Sequence, residues 1–254
     1  MMPMVGTGTT GSIVLASDVR ARRPRHDAFA SGTRPPTMTY SICVRERASD
    51  GWRFGVAAAA RVPAVGGVCP HASDAGAVAV AGVTDADVGT RILDAVADGH
   101  RIDDAIDAMA AEEGATHRQI HGVGVESAGA HTGADCQPVA ADRVGDGYTV
   151  GGTAMADEVV LDALERGYAE NERDAPLVRR LLTALAAGER AGGDGRDLPV
   201  GSAAVVVRTG DGGDPLHHDL RVDASETPVA DLRDTYRQAK RGYEAAVERY
   251  TENS

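Results

Sequence analysis

The sequence predicts a protein of the α+β class, with two β-sheets stacked between helices in a four-layer α-β-β-α arrangement. Strand patterns occur as antiparallel hairpins, and pairs of amphipathic helices separate one group of strands from the next. Aromatic residues make up 4% of the chain, and its apolar residues are mostly Ala and Val, which suits closely packed layers. Strands, two helices, strands, two helices, strands and a final helix form an α+β order. The hairpins exclude a doubly wound parallel sheet.

The first predicted element is a hairpin. Apolar and polar residues alternate over 39–44, which is the period of a half-buried strand. The charged stretch 45–51, which ends in the typical turn pair Asp50-Gly51, is predicted to be the turn, and 52–60 forms the returning strand. Four consecutive alanines at its end would also suit a helix, but the turn before them and Pro63 after them favour a strand.

The later elements follow from the same two periodicities, two residues for strands and about 3.6 for helices. Each predicted helix carries an apolar stripe. We predict strands at 65–68, 76–83, 120–126, 130–132, 148–150, 203–207 and 218–222. We predict helices from Thr84 or Asp85 to Gly99, at 102–109, 155–168 and 176–187, and from Pro228 onward.

Residues 1–37 differ in composition from the rest of the chain. They are rich in Gly, Thr, Ser and Pro, their arginines outnumber their aspartates, and they show no sustained periodicity. We expect a disordered leader there, or a start codon assigned too far upstream, with Met38 as the true start. Residues 38–250 then form one domain, and 251–254 a frayed tail.

Charge and length restrict the classes of function. With 254 residues and a 43% hydrophobic composition, the chain can bury a substantial core. Its net charge of −12 excludes nucleic acid and anionic membranes as expected partners. It has no apolar run of about 18 residues or more, so no membrane span is predicted. Lys240 is the only lysine, so arginine supplies every other fixed positive charge, while Asp and Glu are abundant. This combination favours a halophilic source, although codon bias would explain the preference for arginine equally well.

The cysteines and histidines predict neither disulfides nor metal. Cys43, Cys69 and Cys136 are odd in number, widely spaced and without a CxxC pair, so we expect reduced thiols and a cytoplasmic location. His117 and His121 have helical i,i+4 spacing, but the sequence around His121 is typical of a strand, which argues against a metal site. We expect no cofactor.

Thr39 is the first candidate for catalysis. If translation starts at Met38, removal of that methionine gives Thr39 a free α-amine beside its own hydroxyl. One residue then supplies a nucleophile and its base. The alternative is that Thr39 is an ordinary first-strand threonine.

Seven segments in order resemble the DUF1028 family, an uncharacterised group placed in the Ntn-hydrolase superfamily. The resemblance spans 38–236 and lies in MTYSI, GVAAAARVPAVGGVCP, HTGADCQP, GGTAMADEVV, AGGDGRD, GSAAVVV and DLRVDASETPVADL. It implies an Ntn-hydrolase-like α-β-β-α fold, as in proteasome subunits, with Thr39 in the nucleophile position. Related nucleophiles work beside a lysine, but Arg61 stands where DUF1028 members usually carry one, and an arginine cannot act as a neutral base.

Four further residues are candidates for substrate binding. Arg61, at the end of a strand, could hold a carboxylate or form a structural ion pair. His131, at another strand end, is either a site residue or part of a turn. Asp194 and Arg196 lie in a Gly-rich loop whose backbone N–H groups could face an anion; the alternative is a helix-to-strand connection with a local ion pair.

The leading hypothesis is therefore an Ntn-type amidohydrolase that cleaves a small amide or a peptide bond with Thr39. The second is a non-catalytic binding or assembly protein on the same fold, and a third, weaker one is an enzyme that uses Cys136 and His131. Homo-oligomerisation is expected, because the fold often assembles through its helical faces. The two main hypotheses differ at the N-terminus, since only a chain that begins at Thr39 has the required amine.

Overall fold

Ten β-strands form two antiparallel sheets in the part of the chain that the structure describes. The structure is a computed structural model, and it describes residues 37–49, 51–83, 87–171, 174–210 and 214–251. The strands are β1 (Tyr40–Ala48), β2 (Gly51–Ala60), β3 (Pro70–Ala72), β4 (Gly76–Gly82), β5 (Arg118–Gly124), β6 (Ala128–Thr132), β7 (Ala141–Gly145), β8 (Tyr148–Gly152), β9 (Gly201–Thr209) and β10 (Asp219–Ser225). The large sheet has the order β10-β9-β2-β1-β8-β7, and the small sheet the order β3-β4-β5-β6.

Five α-helices accompany these strands within the described residues. They are α1 (Val88–Ala97), α2 (Ile102–Ala110), α3 (Val159–Ala169), α4 (Leu177–Arg190) and α5 (Pro228–Thr251). The first two pack on the small sheet, and the last three on the large sheet. The prediction of a mixed α+β protein is confirmed.

Three apolar clusters hold the elements together. One joins the large sheet to its helices through residues such as Ile42 and Leu181. A second lies between the two sheets and includes Phe54 and Val123. The third joins the small sheet to α1 and α2 around Ile106. Because β1 takes part in two clusters, its successive side chains are buried on opposite faces of the sheet.

The predicted first hairpin is confirmed, but residues 45–48, which were predicted as part of the turn, continue β1. β1 and β2 pair in antiparallel register from Tyr40 opposite Ala59 to Ala48 opposite Gly51. The alanines at the end of β2 are fully buried in a strand, with β1 on one side and β9 on the other. Small side chains there allow both faces of β2 to be covered closely.

Two local predictions were wrong, and two strands were not predicted. Val65–Gly67 is a 3₁₀ turn rather than a strand, because the amides of Gly67 and Val68 donate to carbonyls three residues earlier, those of Ala64 and Val65. The polar stretch after it contains β3, and the edge strand β7 was missed because it is exposed and lacks clear alternation. Helix α3 starts at Val159 rather than Met155, because Met155 pairs with Asp194 in an isolated antiparallel β-bridge.

Three predictions concern residues outside the described ranges, namely the leader up to residue 36, a helix start at Thr84 or Asp85, and the tail beyond Thr251. Among the helices that are described, none combines the length and the apolar character that a membrane span requires.

Candidate active site

Thr39 directly precedes β1 and is completely buried. Its carbonyl oxygen accepts a hydrogen bond of 2.9 Å from the amide of Thr153, which fixes the backbone. Its hydroxyl oxygen forms no hydrogen bond of normal geometry with any described residue. A buried hydroxyl without a partner is costly in free energy, so this atom is a candidate for a functional role.

The chain ahead of Thr39 is held in place by a short backbone pairing. The amide of Thr37 donates to the Gly82 carbonyl at 3.0 Å, and the Gly82 amide donates back at 2.6 Å. Gly82 has a φ of +84° and approaches the His117 carbonyl so closely that a Cβ would overlap it. In this form the nitrogen of Thr39 belongs to the peptide bond with Met38 and is not a free amine.

Asp194 is 7% exposed and holds the arginine that contacts this peptide bond. Its carboxylate accepts hydrogen bonds from the Arg61 amide at 2.7 Å and from the Arg196 amide at 3.1 Å. The guanidinium of Arg196 donates to the same carboxylate through Nε at 2.9 Å and also through Nη2. The Nη2 group of Arg196 further donates to the Met38 carbonyl at 3.2 Å. Of the four predicted binding residues, Arg196 contacts the Met38–Thr39 peptide directly and Asp194 holds Arg196. Arg61 contributes only its backbone amide, because its guanidinium donates to the Glu226 carbonyl at 3.2 Å.

The glycine-rich loop places Asp194 in an unexpected way. Gly192 and Gly193 adopt positive φ angles of 119° and 53°, which end α4 and turn the chain towards Met155. The Gly193 amide donates to the Gly188 carbonyl, and the Gly195 amide to the Ala154 carbonyl. Because these amides are used within the fold, the prediction that they face an anion was wrong.

A row of polar side chains continues from Thr39 between the two sheets. The hydroxyl of Ser41 lies 2.8 Å from Nε2 of His121, and the hydroxyl of Thr149 lies 2.9 Å from Nδ1. Burial lowers the pKa of His121 to about 3, so the imidazole is neutral near pH 7. Sequence reasoning missed this row, although alternation along β1 and β5 could have indicated that these side chains point inward.

Two cysteines lie in the same layer. Burial raises the pKa of the Cys69 thiol to about 12, and the nearby hydroxyls of Thr39 and Ser41 offset only part of that rise. Burial likewise raises the pKa of Cys43. Both thiols are therefore protonated near pH 7 and inert as nucleophiles. The Cys69 thiol therefore lies near the Thr39 hydroxyl without forming a hydrogen bond of normal geometry with it.

Gln119 and Thr153 complete the buried polar layer. The amide nitrogen of Gln119 donates to the Thr132 hydroxyl at 2.7 Å, the Ala141 carbonyl at 3.0 Å and the Gly152 carbonyl at 3.1 Å. Its oxygen, like the hydroxyl of Thr153, has no hydrogen-bond partner among the described residues. This end of the intersheet layer thus holds three unpartnered polar atoms.

His131 is not brought to this site. The side chain of its neighbour Thr132 faces the large sheet, so that of His131 faces the opposite side of β6, where Nε2 lies 3.3 Å from the Ala115 carbonyl. Burial raises the pKa of Cys136, which disfavours its thiolate. Lys240 lies on α5 and pairs with Glu244 at 3.6 Å, so it takes no part in the site. Within the described ranges, no three His, Cys, Asp or Glu side chains are grouped as metal ligands.

The fold and this site define a mixed α+β protein with two antiparallel sheets and a buried polar layer at the start of its first strand. The chain belongs to the family of unknown function DUF1028, whose model matches residues 39–232. The predicted family membership is confirmed. The chain is also similar to a protein from Silicibacter pomeroyi whose crystal structure is described as that of a DUF1028 member, with 27% identity and a TM-score of 0.70. That similarity covers 80% of this chain and 89% of the other. Among curated proteins, none matches.

Proposed function

We propose that this protein is an amidohydrolase of the N-terminal-nucleophile type, built on that superfamily's four-layer α-β-β-α sandwich. The observation that carries the proposal is the position of Thr39: its buried, unpartnered hydroxyl lies beside a peptide carbonyl that accepts a hydrogen bond from Arg196. The family match begins at the same residue, which gives further support. The substrate is a small amide or a peptide.

The proposed reaction requires the residues before Thr39 to be absent. The freed α-amine takes the proton of the Thr39 hydroxyl, and the hydroxyl oxygen attacks the substrate's amide carbonyl. The tetrahedral intermediate expels the amine product, which leaves with that proton. Water then hydrolyses the ester on Thr39 and releases the acid.

Arg196 is the residue proposed to stabilise the oxyanion. The carbonyl oxygen of Met38 accepts a hydrogen bond of 3.2 Å from Nη2 of Arg196, and it stands in for the carbonyl oxygen of a substrate. A guanidinium in that place stabilises the negative charge that develops on the oxygen during attack. Asp194 orients Arg196, and the backbone amide of Arg61 fixes Asp194 in turn. We assign His131 no role in this scheme, because its ring contacts the Ala115 carbonyl.

A non-catalytic binding or assembly protein is the second candidate. It is supported by the complete burial of Thr39 and by the Thr37–Gly82 pairing, both of which close the site while the preceding residues are attached. A chain that keeps those residues has no amine at Thr39 and cannot follow the proposed mechanism.

Intact mass and N-terminal sequencing test the proposal first. We expect a chain expressed from Met38 to begin at Thr39. This form is then incubated with a β-lactone, which esterifies an activated hydroxyl and adds its own mass to the protein. We expect one adduct, located at Thr39 by peptide mapping, and faster hydrolysis of an amide panel than with the Thr39→Ala variant.

The full-length chain and Thr39→Ala are the controls, and neither should form the adduct. Thr153→Ala is the matched control, because it removes a neighbouring buried, unpartnered hydroxyl that the mechanism does not use. Retention of Met38, or equal labelling of the Thr39→Ala variant, would contradict the proposal and favour the binding protein.

A further inference from the structure

A pocket between α4 and α5 is lined by three arginines. It has a volume of about 430 Å³, and its walls include Arg179 on α4 and both Arg233 and Arg237 on α5. The other lining residues are neutral: Asn171, Leu182, Thr183 and Tyr236. No carboxylate of a described residue lines this pocket.

The positions of the arginines follow from helical geometry. Arg233 and Arg237 are four residues apart and lie on one face of α5. Arg179 has the same relation to Thr183 on α4. Since α4 and α5 contact each other, the two faces meet at the pocket and bring three guanidinium groups to its rim.

The positive charge of the pocket is only partly neutralised. Arg237 forms an ion pair with Asp234, one turn earlier on the same exposed helix surface. Within the described residues, neither Arg179 nor Arg233 forms an ion pair. Such a concentration of cations is opposite in sign to the whole chain, whose net charge is −12. Like charges at i,i+4 destabilise a helix, so an anion bound between Arg233 and Arg237 would relieve their repulsion.

The phenol of Tyr236 lies within this positive field. Burial raises its pKa, Arg179 partly offsets the rise, and the carboxylate of Glu244, which does not line the pocket, adds to it. The pocket therefore presents guanidinium donors beside amide and hydroxyl groups. This combination matches the oxygen atoms of phosphates and carboxylates, which guanidinium groups bind through paired hydrogen bonds.

We propose that this pocket binds a small organic anion that carries two or more phosphate or carboxylate groups. The site is separate from Thr39. It lies on the helical side of the large sheet. Arg180, next to Arg179 in the chain, pairs with Glu46 near the end of β1. Thr39 precedes the first residue of β1, so it lies at the other end of that strand. The proposal does not depend on the amidohydrolase proposal.

Isothermal titration calorimetry of the full chain with pyrophosphate and with citrate tests the site. We expect saturable binding of at least one of them, weakened by added salt. Arg179→Gln and Arg233→Gln should each lower the affinity by about tenfold or more, the effect expected from losing a charge-assisted hydrogen bond. The matched control is Arg241→Gln, which removes the same charge from an exposed position of α5 outside the pocket.

The outcomes separate a built site from general attraction of anions. Binding that survives in Arg241→Gln but not in the two pocket variants supports the proposal, and the preferred probe identifies phosphate or carboxylate chemistry. Equal weakening in all three variants, or no saturable heat with either probe at millimolar concentration, overturns it. Thermal unfolding of each variant checks that the fold is retained.

Discussion

The imidazole of His121 makes the protein's stability depend on pH. It is fully buried, and burial lowers its pKa to about 3 from a usual value of 6.5. Below pH 6.5 the unfolded chain binds a proton at this residue that the folded protein does not bind. The stability it contributes is therefore present above pH 6.5 and is lost as the pH falls towards 3. We expect one proton's contribution to the slope, about 1.4 kcal/mol per pH unit.

Urea unfolding between pH 4 and pH 6.5 measures this slope. The variant His121→Gln should be less stable at neutral pH but should lose stability less steeply on acidification, because the titrating group is gone. His100→Gln, which removes an exposed histidine, is the control for loss of an imidazole. Equal slopes for the wild type and His121→Gln would show that the buried ring is already protonated in the folded state.

Part of the candidate site could be predicted residue by residue. Thr39, Asp194 and Arg196 could be chosen as candidates, because a hydroxyl residue after a possible start methionine and a charged glycine-rich loop stand out in the sequence itself. The pairing of Ser41 with His121 was not, since these residues are 80 positions apart. It depends on how two sheets pack face to face, which local periodicity does not specify.

Elements with strong periodicity and clear ends were predictable. The sequence of the β1–β2 hairpin has both an alternating pattern and an Asp-Gly pair, and amphipathic stripes located the five helices of the described residues. The edge strand β7 has neither signal, because one side of it meets solvent and Val144 is 53% exposed. Its hydrogen bonds to β8 define it rather than its own sequence.

Two helical glycines should respond oppositely to replacement by alanine. Alanine normally stabilises a helix interior by up to about 1 kcal/mol relative to glycine. At Gly89 in α1, however, a Cβ would lie 2.2 Å from the ring of His71, which is itself held near the Val68 carbonyl. We expect Gly89→Ala to destabilise the protein by about 1–3 kcal/mol through overpacking.

Gly242 in α5 provides the comparison, because a Cβ there would meet nothing within 4 Å. Gly242→Ala should therefore be neutral or stabilising in urea unfolding. The double variant Gly89→Ala with His71→Ala should recover part of the lost stability, since it removes the overlapping ring. A stabilising Gly89→Ala would mean that His71 moves aside freely and does not fix α1 against β3.

At the scale of the whole molecule, the class was predictable but the sheet order was not. The sequence indicated hairpins and helix pairs, which limit the fold to a few arrangements. The pairing of β1 with β8 joins strands about a hundred residues apart, and the early strands divide between two sheets. Such pairings are decided by which apolar faces can be covered together, so they emerge only from the complete fold.

The net charge of −12 should make the whole protein more stable as salt is added. Repulsion among surface carboxylates extends over about 30 Å at 0.01 M ionic strength but only about 3 Å at 1 M. Screening also weakens the exposed ion pairs, yet each of these is worth only about 0–1 kcal/mol. We expect the melting temperature to rise between low and high NaCl, by about 2–4 °C for each kcal/mol of repulsion removed. The variant Asp104→Asn with Asp107→Asn, which neutralises two exposed carboxylates of α2, should show a smaller rise. A melting temperature independent of salt, or an equal rise in this variant, would show that the surface charges do not oppose folding.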